Sequence, residues 1–291
     1  MISHNYATRQ RTAKTVYSVR QLYSQISGYC LRVRRASDNA EQDVGFSGGA
    51  LDTVSLSAFC GASAGYLSVW YDQTGYGLDM SQTNTSLQPM IYDGSVVLTA
   101  DNGKPALKFD GDYIFVPNSR GDFTYLHNGT SSSVFMVVSP GLVSNPNAGY
   151  SLIMNNGGAS YNIGASLGYE DRSVYGFNDT LSVGVTNGIT SQPSIDNRPN
   201  NVITPNVSHI VSVFIDAGAA VAADRVTGYV DNVNAGFANT HTRAPSLAMS
   251  TNFMQIGTLS GYLQELVFYN SDKSADRSAI EADMNGYYGI Y

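Results

Sequence analysis

Apolar residues recur at alternate positions in short runs, and Gly, Asn and Asp cut the runs apart before a helix could grow. Leu31 to Arg35, Tyr66 to Tyr71, Pro105 to Phe109, Asp112 to Pro117, Ser133 to Val138, His209 to Ile215 and Arg225 to Val230 all fit this pattern. Asp93-Gly94 and Asn102-Gly103 supply hairpin turns, since both residues of each pair tolerate positive φ. The closing stretch is the fullest case. Met254 and Ile256 alternate into a Gly-rich turn, and Tyr262 to Tyr269 follows as a second strand with Leu263, Glu265, Val267 and Tyr269 on one face. Ser274 is then placed to cap a short helix carrying Ala275, Ala279, Ile280 and Met284 at helical spacing. Many short strands with turns of this kind predict a β-sandwich or jelly roll.

The chain has 291 residues, enough to bury a core without staples. A net charge of −7 argues against a nucleic-acid partner. That charge is divided: residues 1–35 hold seven basic residues and no acid, while the rest carries −14. Residues 1–15 are therefore expected to form a basic N-terminal arm, with Arg9, Arg11 and Lys14 docking on an acidic partner or on the acidic sandwich itself. Residues 16–291 are expected to be a single domain. Within it, Val16, Val19, Leu22, Tyr23 and Ile26 predict a short amphipathic helix over 16–29, and a second helix is predicted at Thr53 to Cys60 with Asp52 as its cap. Residues 186–206, with three prolines, form a long loop and a candidate rim of a binding face. Cys30 and Cys60 each sit in an apolar run, which predicts two reduced core thiols. His4, Asn5 and Arg9 interrupt the start, so no cleaved leader is expected, and no apolar run is long enough for a membrane helix.

Three blocks resemble the laminin-G-like jelly roll, in order: Leu107-Lys-Phe-Asp-Gly-Asp-Tyr-Ile-Phe-Val116, then His209 to Asp216 with Arg225-Val-Thr-Gly-Tyr-Val-Asp-Asn232, then the closing stretch. Earlier, Tyr17-Ser-Val-Arg-Gln-Leu-Tyr, Leu31 to Asn39, Leu56-Ser-Ala-Phe-Cys-Gly61 and Val69-Trp-Tyr-Asp-Gln-Thr-Gly-Tyr-Gly77 resemble the catalytic domain of alpha-L-arabinofuranosidase B, and are similar also to lectin-like modules of tailed-phage virion proteins. The resemblance implies an all-β, two-sheet jelly-roll sandwich of concanavalin A-like type, with a few short helices. It also implies two carboxylates. The family's proton donor lies in a Gly-Gly-Asp-Asn loop, and the matching loop Ile256 to Gly261 has no Asp. Its nucleophile lies in a mid-chain Asp-x-Glu strand, and Ser173 to Thr180 offers Asp179 but no Glu. Both positions are taken as lost, so no catalytic residue and no enzyme activity are expected.

Other chemistry is thin. Glu265 is the most conspicuous lone acid, and support of the sheet is its expected role. Asp38, Asp43 and Asp52 are the carboxylates a calcium ion would use, but no EF-hand spacing supports one, so no metal or cofactor is expected. Trp70, Asp72, Tyr169, Tyr175, Phe177 and Asp179 are the candidate carbohydrate-binding residues, because aromatic faces beside polar turns suit sugar rings; cross-strand packing is the competing role. The expected protein is a non-enzymatic virion component of a tailed phage: a decoration, fibre or tail protein, released by lysis. It would be a homo-oligomer, attached to other virion proteins through its arm and to cell-surface glycan through its sandwich. A carbohydrate-binding module outside a virion and an arabinofuranosidase-like hydrolase are the alternatives.

Overall fold

Leu107 and Phe109 are buried while Lys108 and Asp110 are exposed, the alternation of a strand with one face on a core. Repeated along the chain, this builds an all-β sandwich. The computed structural model describes residues 12–23, 28–141, 150–157, 162–172, 176–189 and 193–291. Its strands are β1 (Thr15–Ser18), β2 (Leu31–Arg35), β3 (Glu41–Val44), a small hairpin of β4 (Phe46–Ser47) and β5 (Ala50–Leu51), β6 (Gly65–Trp70), β7 (Met80–Ser81), β8 (Met90–Tyr92), β9 (Leu107–Asp110) and β10 (Tyr113–Phe115). There follow β11 (Ser132–Pro140), β12 (Tyr150–Asn155), β13 (Ile163–Arg172), β14 (Phe177–Asn187), β15 (Ile195–Asn197), β16 (His209–Ile215), β17 (Val226–Val230), β18 (Val233–Asn234), β19 (Gln255–Gly257) and β20 (Ser260–Tyr269). The helices among the described residues are α1 (Thr53–Cys60) and α2 (Arg277–Tyr288).

One layer runs β3-β2-β6-β7-β10-β19-β12-β13-β14-β15, every pair antiparallel. The other runs β20-β11-β16-β17-β18, with β1 and β9 both paired to β20. Strand β8 bonds β6 and β9 and so joins the two layers. Between them lies one core: Leu67, Ile114, Met154, Leu167 and Ile256 from the first layer meet Val134, Met136, Val211, Leu266 and Phe268 from the second. The back of the second layer, Phe135, Val137, Ile210 and Val267, is covered by Ile280, Met284 and Tyr288 of α2 and by Val16 and Val19. Burying each such side chain stabilises by about 1.5–3 kcal/mol.

Several expectations hold. Asp52 caps α1, its Oδ1 accepting the Ser55 amide at 3.0 Å. Cys30 and Cys60 are buried and reduced. Burial pushes both thiols up.

Others are corrected. The helix predicted from Val16 begins instead as β1, paired to β20 from Thr15↔Phe268 to Ser18↔Glu265. All four residues of β1 are buried, because α2 covers one face and the core the other. A strand buried on both faces loses its alternation, so spacing alone cannot separate it from a helix. Strand β20 also departs from strict alternation. A bulge skips Gln264, so Leu263 pairs with Val138 and joins the core with Leu266 and Phe268 rather than sharing the face of Glu265. Ser274 opens a short 3-10 turn ahead of α2 rather than capping it.

Lys14 belongs to the sandwich more than to an arm. Its amide bonds the Phe268 carbonyl at 2.7 Å, and its ammonium stands 5.4 Å from the Tyr76 ring centre. Arg9 and Arg11 lie outside the described residues.

Candidate functional site

The hairpin β13–β14 stands near one end of the first layer. Ala165, Leu167 and Tyr169 of β13 face the core with Leu181, Val183 and Val185 of β14. The opposite face carries Ser166, Gly168 and Glu170, paired across to Gly184, Ser182 and Thr180. These side chains are small and polar, yet Ser166, Ser182, Thr180 and Glu170 are all buried. Glu170 is the one carboxylate on that face of the hairpin.

Its counter-charge comes from beyond β15. Arg198 holds Nη1 3.6 Å from Glu170 Oε2, while its Nε donates to Asp196 Oδ1 at 2.9 Å. The guanidinium lies 5.0 Å from the Phe177 ring centre, a cation–π contact that fixes its plane. Asn200 braces the same end: its Oδ1 accepts the Thr180 hydroxyl at 2.6 Å, and its Nδ2 donates to the Gly176 carbonyl at 2.9 Å. The long 186–206 segment, read from sequence as a loop, thus includes the end of β14 and all of β15. It brings Arg198 to the polar face.

The predicted carbohydrate-binding residues scatter. Trp70 is fully buried against Tyr17, ring centres 5.8 Å apart, so it offers no face to a sugar. Asp72 is spent on the backbone and on its own turn, accepting the Val16 amide at 2.9 Å, the Thr74 amide at 3.0 Å and the Thr74 hydroxyl at 2.6 Å. Tyr169 is a core residue whose hydroxyl donates to Asp179 Oδ1 at 2.9 Å. Burial, then Asp179, holds that phenol far above its usual range. Asp179 takes a left-handed φ of 46° at the base of the hairpin. Tyr169 and Asp179 are therefore brought together on the core side of the hairpin, while Phe177 lies against Arg198, the partner of Glu170. Tyr175 lies outside the described residues. The acids weighed for calcium are each used otherwise: Asp38 pairs with Arg35, Asp43 with Arg32, and Asp52 caps α1.

Glu170 was missed because the strand was placed wrongly. Matched to Ser173 to Thr180, the mid-chain strand holds no glutamate; in the structure β13 runs to Arg172 and carries Glu170-Asp171. The signal was present in Gly-Ala-Ser-Leu-Gly-Tyr-Glu, where Ala165, Leu167 and Tyr169 alternate and throw Glu170 onto the face away from the core.

Of the chain's four glutamates, two other buried ones have structural work. Glu265 takes Arg20 Nε at 2.7 Å and Nη2 at 3.0 Å, the Ser18 hydroxyl at 2.8 Å and the Tyr288 hydroxyl at 3.1 Å. Glu281 takes Arg277 at 2.6 Å and the Ser212 hydroxyl at 2.5 Å, tying α2 to β16. Burial raises the Glu281 carboxyl above its usual range. Both clamp elements together. Glu170 alone faces away from the helix and the core.

Comparison with known proteins bears on this site. Residues 5–135 match the model of the catalytic domain of alpha-L-arabinofuranosidase B. No curated protein matches the chain. Among solved structures, the chain is similar to an arabinofuranosidase complexed with arabinofuranosyl-alpha-1,2-xylobiose, at 13% identity and a TM-score of 0.64 over 96% of this chain. It is similar also to a GH54 α-L-arabinofuranosidase soaked with a cyclic sulfate inhibitor, at 13% identity and a TM-score of 0.62 over 94% of this chain. A glutamate-to-glutamine mutant of GH54 α-L-arabinofuranosidase soaked with 4-nitrophenyl α-L-arabinofuranoside gives 14% identity and a TM-score of 0.65 over 94%. The chain spans 64%, 62% and 62% of those three chains. The expectation of a chain without enzymatic character is corrected by these matches. The N-terminal match is to a catalytic domain, and a buried glutamate stands in the mid-chain strand where none was expected.

Proposed function

We propose that this chain is an arabinofuranosidase-like glycoside hydrolase domain whose attacking carboxylate is Glu170. The observation that carries the reading is the setting of Glu170: fully buried, near the end of β13, on a face of Ser, Thr and Gly, with a guanidinium 3.6 Å from its Oε2. A carboxylate that must stay charged while excluded from water needs such a compensating cation. The match to a catalytic domain over residues 5–135 and the likeness of fold to arabinofuranosidases over most of the chain support the substrate class.

In the step proposed, a Glu170 oxygen attacks the anomeric carbon, the glycosidic C–O bond breaks, and the leaving oxygen departs with the bonding pair. Water then cleaves the glycosyl ester, frees the sugar and restores the carboxylate. Arg198 positions Glu170. Proton donation to the leaving group is less well provided. The loop Ile256 to Gly261, where the resemblance puts the donor, offers Thr258 and Ser260. Asp196 is tied to Arg198 by an ion pair at 2.9 Å. The domain should therefore favour leaving groups that depart as stable anions.

The test is release of 4-nitrophenol from 4-nitrophenyl α-L-arabinofuranoside. Wild-type protein is expected to turn it over, and Glu170→Gln to lower kcat/KM by about 10³-fold or more with the unfolding midpoint little changed. Methyl α-L-arabinofuranoside, whose leaving group needs a proton, should be hydrolysed far more slowly than the aryl substrate. Folded wild-type protein that releases nothing above buffer, or a Glu170→Gln variant as active as wild type, would overturn the assignment.

A further inference from the structure

A second concave site lies well away from Glu170. Past the end of β6 the chain turns through Tyr71 to Asp79 and closes a cavity of about 270 Å³ against Tyr29 and Phe46. From β6 to β13 there are five strand steps along the layer, roughly 24 Å at about 4.8 Å per step. Four aromatic residues line the cavity: Tyr23, Tyr29, Phe46 and Tyr71. Tyr29 is 55% exposed and leans on Tyr71, ring centres 6.0 Å apart at an angle of 44°. Tyr71 is pinned by its hydroxyl to Asp43 at 2.6 Å, so its ring is a fixed wall. Gly75 and Gly77, at φ of 81° and 73°, line the opposite side, and a Cβ at either would meet nothing within 4 Å.

The polar end is Asp79. Its Oδ1 accepts the Asp72 amide at 2.8 Å, and among the described residues its Oδ2 has no hydrogen-bond donor. Burial raises this carboxyl above its usual range, and the nearby Asp72 charge adds to the shift. A half-buried carboxyl with a spare acceptor, set among aromatic rings, is poorly satisfied by the protein alone. Few convergent polar groups on an otherwise aromatic wall are what small-ligand pockets present.

We propose that this cavity is a binding site for one neutral saccharide ring, which lies against the wall formed by Tyr29 and Tyr71 and donates a hydroxyl to Asp79. The volume admits a single ring rather than a chain. Asp79 supplies the acceptor, and the two acids Asp72 and Asp79 disfavour a sugar carrying its own carboxylate. The site does not depend on the reading of Glu170, and its test separates the two.

The experiment is a ¹⁵N–¹H titration of the full chain with D-xylose, D-galactose and D-glucuronate at neutral pH, following the Gly75 and Gly77 amides. At least one neutral sugar is expected to shift them saturably, with a Kd on the order of millimolar, as suits one ring on a preformed wall. Glucuronate should bind at least about tenfold more weakly, from like-charge repulsion at short range. Tyr29→Ala, at an exposed position, and the near-isosteric Asp79→Asn should each weaken binding about fivefold or more, while Glu170→Gln leaves it unchanged. The proposal fails if neither neutral sugar shifts these amides up to about 100 mM, if glucuronate binds as well as they do, or if Tyr29→Ala is without effect. It also fails if Glu170→Gln abolishes the shifts, since the sugar would then occupy the other site.

Discussion

Arg20 and Glu265 form the most heavily engaged charge pair in the molecule. Their side chains are almost wholly buried, Arg20 also reaches Asp283 at 2.6 Å, and the guanidinium lies 5.3 and 5.5 Å from the Tyr287 and Tyr288 rings. Three segments distant in sequence, β1, β20 and α2, meet at this one carboxylate. Glu265→Gln keeps the shape but removes the charge that faces the buried Arg20 guanidinium. Breaking a buried pair by removing one partner costs about 3–5 kcal/mol, so the unfolding free energy from urea titration should fall by an amount near the low end of that range; an unchanged value would refute the clamp. The structural role of Glu265 was legible in the sequence, since an acid at alternate spacing in a strand flanked by aromatic residues must find a buried cation. The pairing of Glu170 was not. Its cation, Arg198, sits 28 residues away in a segment with no periodicity, and nothing in the residue order brings the two together.

Among elements, the closing pair β19–β20 is where sequence and structure agree most closely, and its glycines explain why. Gly257 and Gly261 hold φ of 115° and 135°, and a Cβ there would come within 2.4 Å of the Asp112 carbonyl oxygen and 2.3 Å of that of Ser139. Neither obstacle is a flexible side chain; both are backbone of paired strands. Gly261→Ala combines a forbidden conformation with a clash against β11, and should destabilise by about 3 kcal/mol or more, seen as a lower thermal midpoint or loss of soluble protein. Gly286→Ala, in α2 with open space around it, is the control and should leave the midpoint alone or raise it slightly. A Gly-rich turn between two alternating runs was plain from the residues. Strand β14 was not, because Asn178-Asp179-Thr180 at its start reads as a turn. Its partner face of Ser and Gly gives no alternation signal, although β13 and β14 pair over nearly their whole length. Elements whose outer face is buried rather than solvated lose the pattern by which strands are recognised.

At the scale of the whole molecule, the sandwich class was legible from the turns, but the way its far end is closed was not. Residues 235–254 cross that end without helix or strand. They are held by bonds from distant parts of the chain: Arg225 to the Arg243 carbonyl at 2.7 Å, Asn187 to that of Ala244 at 2.9 Å, and Asn156 to the Ser250 hydroxyl at 2.9 Å. His127 adds a tie that pH can break. Its Nε2 lies 3.0 Å from the Ala248 carbonyl oxygen and must carry the proton, while its Nδ1 is buried with no partner. Protonation would place a bare N–H⁺ in that apolar pocket, and burial accordingly lowers the His127 pKa below the usual 6.5. The sign follows. The unfolded chain takes up the proton near 6.5 and the folded chain resists it to lower pH, so stability is fully present above that value and is lost as pH falls toward the folded pKa. Urea unfolding of the wild type should therefore show a lower midpoint at about pH 5.5 than at about pH 7.5, with faster proteolysis of the exposed Leu247 and Met249 as the strap lets go. Carboxylates such as Asp38, held down to about 2 by Arg35, lose their contribution only in more acid solution, which keeps the two windows apart. His127→Gln retains a donor toward Ala248 without a group that titrates near neutrality. Its midpoint should change less across this pH range, and a variant with the full wild-type fall would place the sensitivity in another histidine.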